Sequence, residues 1–329
     1  MPDSFRSMTL SPARKNGKKE KSKLVQLFEF VSVYLAFHLS ALLPLRMGHF
    51  LSGILGSLCY VFVPRRRRIA VENLRAVFQE DKSPEEITAL ARQSCYSFIA
   101  SLFETAKFVS FLNSPRGRKR IQAAGEGLDS FFQKAREIHQ KSKGCIFVTP
   151  HLGNWEFLPF VGYSAGIPLV IIVRPLDNLY LERWLFSHRE ASGQVIIPKT
   201  NSIYLLQRAL RQGKSIGMLP DQSTMQAIVV DYLGRKATTT PIPALLAVLY
   251  NRPIVVVACC RKSKRFRFDP FVSDPIWPVV HEDEKREIFR LTEAMNREMG
   301  TIVRRYPEQY FWMHDRWKTY RTKKELSLR

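Results

Sequence analysis

The sequence predicts an α/β protein: a mostly parallel sheet with helices on both faces, preceded by an N-terminal hydrophobic helical membrane anchor. From about residue 121 onward, short apolar runs of strand length alternate with segments of helical periodicity, as in parallel sheets built from β-α-β units. Upstream, two long apolar stretches lie between clusters of basic residues, which is typical of chains that meet a membrane. The 329 residues suffice for one large domain plus such an appendage.

The chain is expected to divide into three parts. Residues 1–23 are polar and basic and are predicted to be a disordered tail. Residues 24–64 are predicted to form the membrane-anchoring helical segment. Residues 65–329 carry the alternating pattern and are predicted to form the α/β domain.

Within the anchor, residues 24–43 are about as long as a bilayer-spanning helix requires, whereas residues 47–63 are marginal. Basic residues border the segment on both sides, the second cluster being Arg65–Arg68. Because positive charge marks the cytoplasmic side, we expect a helical hairpin or helices lying in the inner leaflet rather than a single span. An ordinary buried core hairpin is the alternative.

The elements of the remaining chain follow from periodicity and boundary signals. Residues 69–110 are predicted to be helical, with Ser83 as an N-cap and Pro84 in the first turn of a helix. Strands are predicted at 145–149, 168–173, 194–197, 215–219 and 254–258. Further helices are predicted around 127–141, 155–163, 179–192, 202–212, 241–250 and 282–305.

The most informative motif is His151-Leu-Gly-Asn-Trp-Glu156, which directly follows the strand predicted at 145–149. Five helical steps turn through roughly 140°, so His151 and Glu156 can meet only if His151 lies in the preceding loop. Gly153 gives that loop the freedom to turn. A carboxylate held against an imidazole stabilises the imidazolium, as a general base requires. A buried histidine satisfied by a nearby acid is the structural alternative.

Four further residues are candidates for the same site because they follow predicted strands or the histidine itself. Arg174 could contact an oxyanion or a phosphate, or form a surface ion pair. Asp221 and Gln222 follow the strand at 215–219 and could line the cleft or cap a helix. Asn154 could bind substrate or only cap a helix. We expect Arg174 and Asp221 to line one cleft with His151, because the carboxyl ends of parallel strands open into one crevice.

Charge, cysteine spacing and motif context argue against nucleic-acid binding, a metal site and a serine hydrolase. A net charge of +22 points to anionic partners, and the chain has no zinc-finger spacing or RNA-binding signature that would favour nucleic acid. No cysteine pair has metal-ligand spacing, and no metal or redox cofactor is expected. Gly162-Tyr-Ser-Ala-Gly166 matches a serine-hydrolase pattern, but a helix precedes it and a strand follows, which is the reverse of a nucleophile elbow.

Five further blocks accompany the His-x4-Glu motif. They are the post-anchor segment Arg65–Leu74, the Arg-Pro-Leu-Asp-Asn block 174–178, Pro220-Asp-Gln222, Thr238–Pro241 and Tyr306–His314. Together, and in this order, they resemble the bacterial lipid A biosynthesis acyltransferases of the late lauroyl/myristoyl type, within the lysophospholipid acyltransferase superfamily. The tail departs from the family pattern at Asp315, where relatives commonly have arginine, and this puts acceptor-phosphate contacts there in doubt.

The resemblance implies an O-acyltransferase with a His151-Glu156 general-base dyad. It implies an acyl-carrier-protein thioester or another thioester as donor, and an anionic glycolipid hydroxyl, that of a lipid A precursor, as acceptor. Substrate-binding or oxyanion roles fall to Arg174, Asn154, Asp177, Asn178, Asp221 and Gln222. The implied location is the bacterial inner membrane, with the catalytic domain facing the cytoplasm. The alternatives are acylation of a lysophospholipid or glycosylated phosphoinositide, and a non-catalytic membrane-surface protein on the same fold.

Overall fold

The computed structural model describes residues 21–112, 116, 119, 128–173, 176–191, 195–198, 202–224, 227–264, 266–279 and 283–318. Its helices are α1 (Lys23–Leu42), α2 (Leu45–Phe62), α3 (Pro64–Phe78), α4 (Pro84–Leu112), α5 (Leu128–Ser142), α6 (Leu158–Ser164), α7 (Leu179–Ala191), α8 (Ser202–Arg211), α9 (Ile242–Tyr250) and α10 (Glu284–Arg305). Its strands are β1 (Ile146–Val148), β2 (Leu169–Val173), β3 (Val195–Pro198), β4 (Ser215–Met218), β5 (Ile228–Tyr232), β6 (Arg235–Thr239), β7 (Ile254–Ser263) and β8 (Arg267–Val272). Two 3-10 turns cover Trp155–Phe157 and Pro307–Gln309.

A six-stranded sheet in the order β3-β2-β4-β1-β7-β8 forms the centre of the protein. β1 pairs in parallel with β4 and β7, β2 pairs in parallel with β3 and β4, and β8 runs antiparallel to β7. This confirms the predicted α/β class and the mostly parallel sheet. Because β1, β2 and β4 are parallel, the loops after their carboxyl ends lie along one edge of the sheet.

Side chains of β1 alternate between two helical layers. Ile146 and Val148 pack with Leu206 of α8 and Leu246 of α9 in the largest apolar cluster. Phe147 packs on the opposite side, in a cluster that includes Ala135 of α5. A strand buried on both faces reads as a continuous apolar run, which is why the sequence pattern identified β1 despite its short length.

Three of the strands were not predicted from the sequence. β5 and β6 form a separate antiparallel hairpin, and β8 adds an antiparallel edge to the main sheet. The β5–β6 turn places both Leu233 and Gly234 at positive φ, 58° and 85°. Such a turn usually carries Asn-Gly or Asp-Gly, so Leu-Gly gave no turn signal in the sequence.

The helical region predicted at 69–110 is two helices, because the chain breaks after α3 and restarts at α4. The restart is the capping box expected from Ser83. Its hydroxyl accepts a hydrogen bond from Glu86 N at 3.3 Å, and the Glu86 carboxylate accepts one from Ser83 N at 2.8 Å. This reciprocal pair satisfies two amides that the first helical turn leaves unbonded.

The two apolar N-terminal helices lie against the domain instead of standing away from it. α2 packs on α4 through its glycines: a Cβ on Gly56 would come within 2.7 Å of the Tyr96 backbone. At the end of α1, Lys107 donates to the carbonyl oxygens of Ala41 and Leu43, both at 2.6 Å. Both helices are long and apolar enough to cross a membrane, and only 6% of the apolar window of α1 is buried, against 28% for α2.

Candidate functional site

The site is built on the loop that follows the central strand β1. Gly153 adopts a φ of 59°, and a Cβ there would lie 2.2 Å from the carbonyl oxygen of Cys259. Only glycine fits this approach, which lets Asn154 N donate to the same carbonyl at 2.8 Å. The loop is thereby fixed on the middle of β7, at Cys259. His151, two residues earlier, is held at the carboxyl edge of the sheet.

His151 is paired with Asp221, which follows the neighbouring strand β4. The imidazole Nδ1 lies 2.6 Å from Asp221 Oδ1, and the backbone N–H of His151 donates to Asp221 Oδ2 at 2.8 Å. One carboxylate therefore binds both the ring and the backbone of the histidine. With Nδ1–H donating to Asp221, the lone pair of the neutral ring lies on Nε2.

Burial and charge act against each other at Asp221. The carboxyl is almost fully buried, and burial alone would raise its pKa. Electrostatic attraction to His151, the two hydrogen bonds with that residue and the charge of Arg316 outweigh this and lower the pKa of Asp221 below its ordinary value. Asp221 is thus held as an anion. The His151 side chain keeps 18% of its surface exposed, so substrate can approach the ring.

Gln222 and His314 complete the surroundings of the imidazole. The exposed Gln222 places its amide Nε2 3.2 Å from His151 Nε2, on the nitrogen that would act as the base. His314 accepts a hydrogen bond from Ser223 N at its Nε2, 3.1 Å away. Burial lowers the pKa of His314, which favours the neutral ring that this hydrogen bond requires. Trp155 packs its ring edge against the imidazole, with centroids 5.2 Å apart.

Glu156, the carboxylate of the motif, lies half-buried in the 3-10 turn Trp155–Phe157. The carboxylate at His151 Nδ1 is that of Asp221, a role that the sequence had not assigned to it. The two residues lie 70 positions apart, and only the adjacency of β4 and β1 brings them together. The pairing of Glu156 with the imidazole stays a prediction.

Asn154 faces away from the cleft and is fully buried. Its amide donates to Ser101 O at 3.2 Å and to Glu104 Oε2 at 3.1 Å, and its side chain makes no cap on the 3-10 turn. Glu104 in turn pairs with Arg261, whose Nη2 lies 2.9 Å from Oε2. The structure therefore joins Asn154 to a buried ion pair behind the loop that carries His151.

The remaining predicted residues belong to the 174–178 block. Arg174 lies outside the described residues, so its oxyanion or phosphate contact and its place in the shared cleft stay predictions. Asp177 is exposed. Asn178 is buried and binds α1: its amide donates to Gln26 O at 2.7 Å and Glu29 Oε2 at 3.1 Å. Its Oδ1 accepts from Tyr180 N at 3.0 Å and caps α7.

A largely apolar cavity adjoins the loop on the α5 side of the sheet. It leaves ≈ 600 Å³ unfilled by protein atoms, part of which is open to solvent. Trp155 and Thr149 line it next to the loop, and Phe147, Leu158 and Val257 line its walls. In the described part of the chain, no group of three His, Cys, Asp or Glu side chains converges as a metal site.

The sequence of this chain is similar to those of known proteins from one family. The family model for bacterial lipid A biosynthesis acyltransferases matches residues 15–319. A lipid A biosynthesis palmitoleoyltransferase of Escherichia coli (strain K12) is 25% identical over an alignment of 282 residues that covers 84% of this chain and 87% of the relative. A lipid A biosynthesis acyltransferase of Haemophilus influenzae is 24% identical over 84% of this chain and 89% of its own length. A lipid A biosynthesis lauroyltransferase of E. coli is 23% identical over 80% and 83%.

Proposed function

Because this chain belongs to the bacterial lipid A biosynthesis acyltransferase family, we propose that it moves a fatty acyl chain from an acyl-carrier-protein thioester to a hydroxyl of a lipid A precursor. Membership of the family makes the chain an O-acyltransferase of lipid A biosynthesis. The donor, the acceptor hydroxyl and the residues that catalyse the transfer are parts of the proposal.

The observation that carries the catalytic assignment is the geometry of His151. Its Nδ1 is held by a buried anionic carboxylate, while its Nε2 lies at the accessible edge of the sheet. This arrangement suits a general base that accepts the proton of a bound hydroxyl. The partner of Nε2 is the exposed Gln222 amide, which a hydroxyl can displace, whereas a structural histidine has buried partners on both nitrogens.

In the proposed step, His151 Nε2 takes the proton of the acceptor hydroxyl as the oxygen attacks the thioester carbonyl carbon. The new C–O bond forms through a tetrahedral oxyanion, and its collapse breaks the C–S bond. The departing thiolate takes the proton back from the imidazolium, so protons and charge balance. Asp221 stabilises the imidazolium between the two transfers. The hydroxyl must first displace the Gln222 amide from Nε2.

Two other residues keep proposed roles in this step. Arg174, predicted to follow β2, would stabilise the oxyanion with its guanidinium. Glu156 remains the carboxylate of the motif and would add negative charge near the imidazolium. No covalent acyl-enzyme is required, because the hydroxyl attacks the thioester directly.

The apolar cavity beside Trp155 is proposed to hold the acyl chain. Its lining is almost entirely apolar, and it begins next to the loop that carries His151.

Gly162 and Gly217 offer a test because a Cβ at either position meets its nearest neighbour at 3.6 Å, an ordinary contact. Gly162→Ala and Gly217→Ala should therefore fold normally, narrow the cavity and shift preference to shorter acyl chains. Gly53→Ala on α2, where a Cβ meets nothing within 4 Å, is the control. Unaltered chain preference in both cavity variants would remove the cavity from the proposal.

Membrane association is suggested by the two apolar helices and the family, and we propose the cytoplasmic face of the inner membrane as the location. Large apolar side chains on α1 and α2, such as Phe28 and Phe62, are exposed at 74% and 75%. The contacts of α2 with α4, and of α1 with Asn178, favour helices lying in one leaflet over a span.

Thiol labelling tests this topology. Single cysteines introduced at Lys21 and at Arg68 flank the hairpin. A membrane-impermeant reagent added to intact cells should label neither, and it should label both after the cells are opened. Labelling of one site from outside would mean that the segment spans the membrane once.

The assay that separates the proposed function from its alternatives uses purified protein in detergent, an acyl-carrier-protein thioester and a panel of acceptors. Transfer to a lipid A precursor is expected. Transfer only to a lysophospholipid or to a glycosylated phosphoinositide would reassign the acceptor. Absence of transfer to every acceptor, with membrane binding retained, would favour the non-catalytic alternative.

A further inference from the structure

We propose that Asn73 of α3 is a positioning residue for the His151–Asp221 pair, acting through the C-terminal segment 309–316, here called the strap. The inference rests on the proposed function, because the pair is the catalytic pair of the proposed acyl transfer. It assigns a role to the post-anchor segment Arg65–Leu74, which the proposed mechanism leaves without one.

The strap is bonded to the loop that carries His151. Phe311 N donates to His151 O at 2.9 Å, and Gly153 N donates to Gln309 O at 3.2 Å. Leu152, between them, forms an antiparallel bridge with Tyr310. The backbone of the catalytic histidine is therefore fixed on the strap as well as on Asp221.

The strap also reaches the Asp221 side of the pair. His314 accepts from Ser223 N, two residues after Asp221, at 3.1 Å. Arg316 is almost fully buried, binds the carbonyl of Thr238 and donates to Thr239 Oγ1 at 2.7 Å. Its charge helps to hold Asp221 as an anion. One short segment thus positions both members of the pair.

The strap is held at its beginning by α4 and β7: Ser94 donates to Tyr310 O at 2.6 Å, and the Gln309 amide exchanges two hydrogen bonds with the Arg261 backbone. Its middle, residues 312–314, is held by α3. The buried Asn73 amide donates one hydrogen bond to Trp312 O at 2.9 Å and another to His314 O at 2.8 Å. Arg66 donates to Met313 O, between them, at 3.0 Å. Three consecutive carbonyls of the strap are therefore bonded to side chains of one helix.

Asn73 is chemically suited to this position because its amide offers two hydrogens to two diverging carbonyls. The strap lies outside the sheet, so side chains of α3 supply the partners of the Trp312 and Met313 carbonyls, whereas His314 O also accepts from Arg316 N at 2.9 Å. Without the amide, residues 312–314 can move relative to α3, and this movement reaches His151 through the neighbouring Phe311, whose N–H is bonded to His151 O. A displacement of about 1 Å at a catalytic group can cost on the order of 10²-fold in rate.

The test compares Asn73→Leu, which keeps the branched side-chain shape and removes both donors, with the parent protein in the acyl-transfer assay. We expect kcat to fall by about 10- to 100-fold, with KM for donor and acceptor within about twofold of the parent values. Arg66→Ala, which removes one bond to the strap, should lower kcat by less.

Glu287→Ala is the matched control. Glu287 is equally buried and fixes a loop through Val279 N at 2.9 Å. That loop lies by Ile276, which bridges Ile254 at the amino end of β7, the end of the sheet opposite His151. This variant should lose stability while its folded fraction keeps the parent kcat.

Hydrogen exchange supplies a readout that does not depend on any substrate. In Asn73→Leu, peptides covering 150–154 and 308–314 should exchange faster than in the parent, whereas in Glu287→Ala they should not. If Asn73→Leu fails to fold, Asn73→Ser, which keeps one donor, takes its place with the same expectations at smaller size. Unchanged exchange in these peptides, or a loosened strap with parental kcat, would overturn the proposal. A parent protein that transfers no acyl chain would instead overturn the proposed function, and the exchange data would still decide whether Asn73 holds the strap.

Discussion

Two acid–base pairs flank the loop that follows β1, and they differ in access to solvent. On one side, His151 is paired with Asp221, and the imidazole keeps part of its surface exposed. On the other side, Glu104 is paired with Arg261, and both side chains are closed off, at 0% and 6% exposure. In both pairs the donor and acceptor atoms lie within hydrogen-bonding distance, and in both the carboxylate is buried. Access of the basic partner to solvent, not the pairing itself, distinguishes the pair that we propose to be catalytic.

The closed pair has its own structural purpose. Arg261 also donates to Ser97 Oγ at 2.9 Å and to Ser101 Oγ at 3.1 Å, so its guanidinium ties β7 to α4. Burial opposes its charge, but Glu104 outweighs burial and raises the pKa of Arg261. His49 of α2 lies 3.7 Å from the same carboxylate. The Glu104–Arg261 pair thus joins α2, α4 and the sheet. The His151–Asp221 pair is the one that we propose to contact substrate.

The largest expected effect is the loss of the base. His151→Ala should lower the rate of acyl transfer by about 10³–10⁴-fold, the upper part of the range for general-base catalysis. The fold should persist, but the midpoint of urea unfolding should fall, because the buried Asp221 carboxylate loses its imidazole partner, so the rate is expressed per folded protein. A rate within tenfold of the parent would show that another group takes the proton.

Next comes removal of one partner from the closed pair. Glu104→Ala leaves the Arg261 charge buried without its carboxylate, and we expect a loss of about 3–5 kcal/mol in the free energy of unfolding. Glu80→Ala, an exposed carboxylate on the turn after α3, should change it by less than about 0.5 kcal/mol. Equal stability of the two variants would mean that the buried pair contributes nothing net.

The third prediction concerns which carboxylate supports the imidazole. Asp221→Asn keeps the shape but removes the charge, and kcat should fall by about 10²–10³-fold. Glu156→Gln, measured alongside, should cost less, since Asp221 already occupies Nδ1. The reverse order of the two losses would restore the pairing predicted from the motif.

The smallest expected effect is at the residue between the two pairs. Asn154→Ala should cost about 1–3 kcal/mol of stability, because Glu104 and the Ser101 carbonyl lose a buried donor. KM for the acceptor should stay near the parent value, as the side chain faces away from the cleft. A raised KM with unchanged stability would return Asn154 to the substrate-binding group.

The sequence predicted the parts of the site that depend on local pattern. β1 is a buried apolar run, and His151 follows it directly, so its place at a strand end could be inferred. The partner of His151 could not be inferred, because the order of strands in a sheet cannot be predicted from the residues of a single segment. Asp221 was placed in the right cleft but expected to bind substrate, and only the β1–β4 pairing makes it the partner of the imidazole.

Glu104 shows a second limit. It lies in a helix that was predicted, within an apolar stretch, and a carboxylate at such a position signals a buried partner. The partner, Arg261, is 157 residues away on β7, at a strand end that was predicted to stop at residue 258. β7 continues to Ser263, and this continuation places Arg261 next to α4. The residues after 260 are polar, so the apolar pattern of the sequence did not indicate that the strand continues.

The packing of α2 on α4 has a practical consequence for anyone who purifies the protein. Trimming the chain before α3 removes exposed apolar side chains, which is the usual reason to trim. It also uncovers the faces of α4 on which Gly48 and Gly56 rest, including the Phe103 ring that sits where a Gly48 side chain would be. The shortened protein would exchange one apolar surface for another and precipitate. Detergent around the intact hairpin is therefore the better route to a soluble sample.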